Sequence, residues 1–134
     1  MSWLRRDRRP PTPGSPGALT PRQIAGAAAE NLALAHLVAN GLRMVTRNYR
    51  CRLGEIDLIM LDGDSTVFVE VRLRSPGTFA SAADSVDAHK QRRIIAAAQH
   101  YLSGKAESPC RFDCVLLDRL DAGELTWIRS AFLA

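Results

Sequence analysis

No apolar run in the 134 residues approaches the ~18 residues that a membrane-spanning helix needs, which excludes an integral helical membrane protein. The N-terminal stretch MSWLRRDRRPPTPGSPG is positively charged but has no apolar segment behind it, so no secretory signal is expected. Cysteine is scarce. The three residues, Cys51, Cys110 and Cys114, are odd in number, show no CxxC spacing and form no zinc-like set with the histidines. They read as reduced thiols, and the expected location is the cytoplasm. His36, His89 and His100 have no ligand-like spacing and read as surface or core-edge residues. There is no HExxH, GxSxG or P-loop, and Gly14 and Gly17 lie in a Pro-rich stretch, which excludes a dinucleotide fingerprint.

Hydrophobic residues make up 46% and charged residues 24%, the composition of one ordinary globular domain. A chain of this length buries roughly two-thirds of its unfolded surface and needs no staples. The net charge is +4, and it is unevenly spread. Residues 1–19 hold four Arg and one Asp, or +3; the other 14 bases and 13 acids nearly balance. Pro10, Pro11, Pro13 and Pro16 forbid regular structure there, so residues 1–19 are expected to be a disordered arm and residues 20–134 the domain. A basic arm suits an anionic partner such as nucleic acid, and equally a solubilising extension.

Thr20-Pro21-Arg22-Gln23 is a helix start, with Thr20 as N-cap, Pro21 at the first helical position and Gln23 closing a capping box. The helix is expected to stop at Asn40-Gly41. A strand follows around Arg43–Arg50. Then EIDLIML (Glu55–Leu61) and TVFVEVRL (Thr66–Leu73) flank the turn sequence Asp62-Gly63-Asp64-Ser65, which predicts a hairpin. After a loop containing Ser75, Pro76 and Gly77, helical spacing predicts a second helix over about Asp87–Ser103, ended by Gly104. Strands are expected at Arg111–Asp118 and Leu125–Ile128. The crossover through the second helix should be right-handed and place Arg111–Asp118 parallel to a neighbour. The expected class is α/β, a mixed sheet flanked by helices.

The hairpin carries chemistry. With Leu61 opposite Thr66, Asp57 falls opposite Glu70, and like charges there destabilise a sheet. Period-2 alternation puts Thr66, Phe68, Glu70 and Arg72 on one face, with Val67, Val69, Val71 and Leu73 forming the buried other. Two acids amid Val, Ile, Leu and Phe require a cation between them or arginines around them. Oxygen ligands from two carboxylates, completed by water and phosphate, describe a Mg²⁺ or Mn²⁺ site. Glu30 lies on the first helix with Ala27, Leu34 and Leu37 at offsets of three, four and seven, on the apolar stripe. Alone it reads as a helix-edge acid; beside Asp57 and Glu70 it reads as a third acid of the same site.

GEIDLI, FVEVR, a helix opening near Lys90 and an RFD strand together closely resemble the YraN-like family of small bacterial proteins. That family is placed in the PD-(D/E)XK nuclease superfamily and described as predicted endonucleases, related in fold to archaeal Holliday-junction resolvases. The resemblance covers about Ile24 to Phe132 and leaves out the arm. It implies a restriction-endonuclease-like αβββαβ core and a metal-dependent endonuclease acting on DNA, branched or structured DNA in particular. It implies Asp57 and Glu70 as metal ligands, the Val71 carbonyl as able to contribute, Glu30 as the helical glutamate, and a possible homodimer, as in junction-cutting relatives. Arg72 stands where the superfamily motif has lysine. An arginine stabilises phosphate charge bidentately but cannot give up a proton near neutral pH. Lys90 is a conceivable substitute, although a solvated helix-end residue is the ordinary reading.

Arg43, Arg47, Arg50, Arg52 and Arg74, with Lys90, Arg92 and Arg93, could form a phosphate-binding rim around the acids, or simply a solvated face. Tyr49 and Tyr101 could stack on bases, but core packing is their ordinary role. Asp113 is expected to pair with an Arg. The second reading is a non-catalytic nucleic-acid-binding module on a nuclease scaffold, and the third a protein-interaction module with the arm as docking segment.

Overall fold

A computed structural model describes residues 18–73, 86–118, 120 and 125–134. The expected arm (residues 1–17 of it), the loop at Ser75–Gly77 and Arg74 lie outside the described residues. Helix α1 is Pro21–Ala39. Both halves of its capping box form: the Gln23 amide donates to Thr20 Oγ1 at 3.1 Å, and the Thr20 amide donates to Gln23 Oε1 at 2.9 Å. The helix ends at Asn40, and Gly41 follows at φ +96°, a conformation open to glycine at no steric cost.

The strands are β1 (Arg43–Cys51), β2 (Gly54–Asp62) and β3 (Ser65–Leu73); helix α2 is Ala88–Leu102, and β4 (Cys110–Leu117) and β5 (Leu125–Phe132) complete the chain. They form one five-stranded sheet in the order β1-β2-β3-β4-β5. All neighbours are antiparallel except β3 and β4, which are parallel, as a crossover through α2 requires. The expected mixed α/β architecture is therefore present, with two helices flanking the sheet.

On β3 the Val face is buried as expected, and the face of Thr66, Phe68 and Glu70 is buried as well. Val67 and Val69 pack with Leu58, Met60, Val115 and Leu117 beneath Ala29, Ala33 and Leu37 of α1. Phe68 packs with Ile59, Phe112 and Leu116 beneath Ile94, Ala97 and Ala98 of α2. A central strand with a helix on each side reads as a continuous apolar run, and TVFV is such a run. On α1 the buried stripe is Ala29-Ala33-Leu37, while Ala27 is exposed and Glu30 sits at the stripe's border.

Strand β5 runs to Phe132 rather than ending at Ile128. The extension is held by tertiary contacts. Phe132 stacks on Phe112 at 4.9 Å, and Ser130 takes a left-handed φ of 51° that lets its amide donate to Asp113 Oδ1 at 2.9 Å. Asp113 is fully buried and is paired with an Arg as expected: Arg111 Nε lies 3.0 Å from it, and Trp127 Nε1 donates to it at 3.0 Å.

Candidate active site

The hairpin turns through Gly63-Asp64, with Asp62 opposite Ser65 and Leu61 opposite Thr66. The register is the expected one, but the ladder ends at the pair Leu58–Val69. Asp57 is therefore not a ladder partner of Glu70. Its side chain instead takes the place of a strand carbonyl: the Val71 amide donates to Asp57 Oδ2 at 2.8 Å. The strand on the other side of β2 is irregular at the same level. Asn48, between Arg47 (opposite Leu58) and Tyr49 (opposite Ile56), adopts φ 55° and interrupts the regular pleat there. Ile56 consequently joins the α2-side core, whereas Leu58 joins the α1-side core.

Glu70 points beneath α2 and is only 4% exposed. Two cations from different elements reach the same oxygen, Glu70 Oε1: Lys90 Nζ at 3.4 Å and Arg72 Nη1 at 3.8 Å. Burial pushes the Glu70 carboxyl up to about 8, helped by the neighbouring Asp57 charge and opposed by Lys90 and Arg72. Burial also raises Asp57, against the pull of the Val71 amide and Lys90. The Asp57 charge disfavours ionisation of Glu70, while a side-chain hydrogen bond with Glu70 lowers Asp57 against its burial. A cation bound between them would favour the charged form of both at once.

The donor set fits a hard divalent cation. Among the described residues no group of three or more His, Cys, Asp or Glu side chains is placed to hold a metal ion. Two carboxylates fit the habit of Mg²⁺, which keeps several waters and draws further ligands from substrate phosphates.

Glu30 approaches the pair without joining it as a third ligand. Burial and the Asp57 charge raise its carboxyl. Arg47 Nη2 lies 3.4 Å from Glu30 Oε1, and the Asn48 amide nitrogen, in the orientation that satisfies both its ends, lies 3.3 Å from both carboxylate oxygens. These three residues, with Gln23, Gly26, Ala27 and Arg50, line a groove of about 370 Å³ between α1 and β1. Asn48 escaped notice in the sequence; an Asn inside an otherwise strand-forming run was the available signal.

The arginine rim is only partly assembled. Arg47 and Arg50 border the groove, and Arg50 is also paired with Glu55 at 3.3 Å. Arg52 is exposed beside Leu53 and His100, and Arg92 and Arg93 are exposed on α2. Arg43 is opposite Leu61 at the hairpin-turn end of β2, four residues along the strand from Asp57, and does not join. Lys90 is not merely solvated: it is half-buried on Glu70. Tyr49 and Tyr101 meet edge to face at 5.4 Å and border the α2-side core, as the packing reading expects.

Comparison with known proteins gives one family. A family model described as "Uncharacterised protein family UPF0102" matches residues 29–117. A UPF0102 protein of Dechloromonas aromatica is 55% identical over 109 residues, covering 81% of this chain and 88% of that one. One of Cupriavidus pinatubonensis is 54% identical over 112 residues (82% and 86%), and one of Methylobacillus flagellatus is 50% identical over 106 residues (79% and 94%). No helix among the described residues is long and apolar enough to cross a membrane.

Proposed function

The chain belongs to the UPF0102 family, and from the geometry of its acidic pair we propose that it is a metal-dependent endonuclease of the PD-(D/E)XK type that hydrolyses DNA, branched or structured DNA in particular. The observation that carries this reading is that Asp57, held by the Val71 amide, sits beside Glu70 where β2 parts from β3, with Lys90 and Arg72 both facing Glu70 Oε1.

Asp57 and Glu70 would hold Mg²⁺ or Mn²⁺, with the Val71 carbonyl able to contribute. When bound, such an ion supplies an acidified water and charge relief on the phosphoryl oxygens. Every other contribution comes from the chain. The Val71 amide fixes the Asp57 carboxylate, so one ligand is oriented before anything binds. Burial of Glu70 keeps bulk water from screening the charges that develop. Arg72, half-exposed at the rim, suits bidentate contact with a phosphate. Arg47 and Arg50 at the α1–β1 groove suit the phosphates of the adjoining strand, and Glu30 steadies Arg47.

The test is cleavage of labelled four-way-junction, flapped, single-stranded and duplex DNA with Mg²⁺, Mn²⁺ or EDTA, beside Asp57→Asn. Metal-dependent cutting that disappears in Asp57→Asn supports the reading. Asp57→Asn cutting at the wild-type rate sinks it. One observation favours a second reading, a nucleic-acid-binding module without catalysis: Arg72 occupies the motif position of lysine and lies 3.8 Å from Glu70, beyond hydrogen-bond distance. That reading expects salt-sensitive DNA binding indifferent to Mg²⁺, and no cutting.

A further inference from the structure

We propose that Lys90, on helix α2, is the catalytic ammonium of this site, and that Arg72 at the motif position binds phosphate instead. The proposal rests on the endonuclease reading and changes which residue performs the charge-placing role within it.

Three observations carry it. The first is distance: both cations address Glu70 Oε1, and Lys90 Nζ is the nearer, 3.4 Å against 3.8 Å. The second is fixation. Lys90 stands in the first turn of α2, and that turn is tied down twice. The Lys90 amide donates to the Asp87 side chain at 2.8 Å, and Gln91 Nε2 donates to the Val86 carbonyl at 2.8 Å. One turn further on, α2 touches the sheet with no side chain between: a Cβ on Gly54 would lie 2.5 Å from the Arg93 carbonyl oxygen. The helix that carries Lys90 is thus seated against the strand that carries Asp57. Arg72 is held on β3 opposite Leu116, but its side chain is the more exposed of the two, 43% against 34% for Lys90.

The third is chemistry. An ammonium is a compact point charge with three donors that can face a carboxylate, a water and a phosphoryl oxygen together; a guanidinium is a planar fork best used on one phosphate. In hydrolysis the water oxygen forms a bond to phosphorus and the bond from phosphorus to the leaving oxygen breaks. The water's proton passes to solvent and the leaving oxygen takes one from solvent. Lys90 gives and takes none; it holds the water and balances charge on the phosphoryl group, which helps most in the transition state.

The experiment compares wild type with Lys90→Ala, Lys90→Arg and Arg72→Ala on the best-cut DNA substrate. It reads kcat and KM with Mg²⁺, DNA Kd in EDTA, and melting temperature. The expected result is a drop of about a hundredfold in kcat for Lys90→Ala with Kd little changed, no rescue by Lys90→Arg, and a loss in Arg72→Ala that falls mainly on KM and Kd. Lys90→Ala with wild-type kcat overturns the proposal while leaving the nuclease standing. A rise in Kd that matches the whole loss also overturns it, by making Lys90 a binding residue. If Lys90→Ala melts far below wild type, Lys90→Arg alone decides: full activity overturns the proposal, and lost kcat supports it. A wild type that cuts nothing removes the nuclease reading and this proposal together.

Discussion

The Val71 amide donates to the carboxylate of Asp57, 14 residues earlier in the chain, at 2.8 Å, where a regular hairpin would have paired it with a strand carbonyl. One reactive side chain thereby substitutes for backbone, and the sheet edge it leaves is satisfied without closing. Asparagine retains an acceptor oxygen of the same size and shape. Asp57→Asn should therefore melt near wild type while losing a charged metal ligand. A loss of about 4 kcal/mol of transition-state stabilisation, roughly a thousandfold in kcat/KM, is expected, read by single-turnover cleavage.

Metal-free stability should fall as pH rises. The Glu70 carboxyl has an ordinary value of 4.5 and stands at about 8 in the folded protein, raised by burial first and the Asp57 charge second. The folded state then binds a proton that the unfolded state has released, so stability present below about pH 4.5 is lost progressively up to about pH 8. Glu70→Gln should flatten that slope and raise the midpoint at pH 8. Urea melts in EDTA at several pH values check this, and a wild-type slope retained in Glu70→Gln would contradict it.

Much of this was legible in the sequence. The capping box at Thr20 and Gln23, the Gly63 turn and the Leu61–Thr66 register all follow from short-range rules, and all are present. What was not legible depends on tertiary contact. The length of β5 is set by Phe132 against Phe112 and by a bulge at Ser130. Burial of the Phe68 face needs α2, whose placement no alternation pattern reveals. Alternation brings Asp57 and Glu70 to one face, but a regular cross-strand pairing does not anticipate the irregularity at Asn48. Lys90 could be named but not placed, because 20 residues separate it from Glu70.

Gly54→Ala should destabilise the protein by about 1–3 kcal/mol, the usual cost of forcing atoms into a packed contact. Its new Cβ would stand 2.5 Å from the Arg93 carbonyl oxygen, and neither backbone can yield cheaply. Thermal melting gives the cost. Cleavage by the same variant should fall further than its folded fraction, because the displaced helix carries Lys90.

Asp113→Ala should cost more, about 3–5 kcal/mol, since it removes the carboxylate that pairs with Arg111 and receives Trp127 Nε1 and the Ser130 amide. Asp113→Asn should cost less by keeping one acceptor. Denaturant unfolding ranks the two, and Asp113→Ala as stable as wild type would count against the network.

The parting of β2 from β3 beyond Leu58 has a consequence for how this protein evolves and can be engineered. The hairpin is a zipper stopped four pairs short of the strand ends, and the gap is where the acids sit. Substitutions that let it close would need a regular pleat at Asn48 as well as an apolar residue in place of Asp57, and would lengthen the ladder and bury more apolar surface. Selection for thermal resistance alone should therefore drift toward a sturdier molecule with nothing left to react. Selection that demands chemistry must hold the fork open against that gradient.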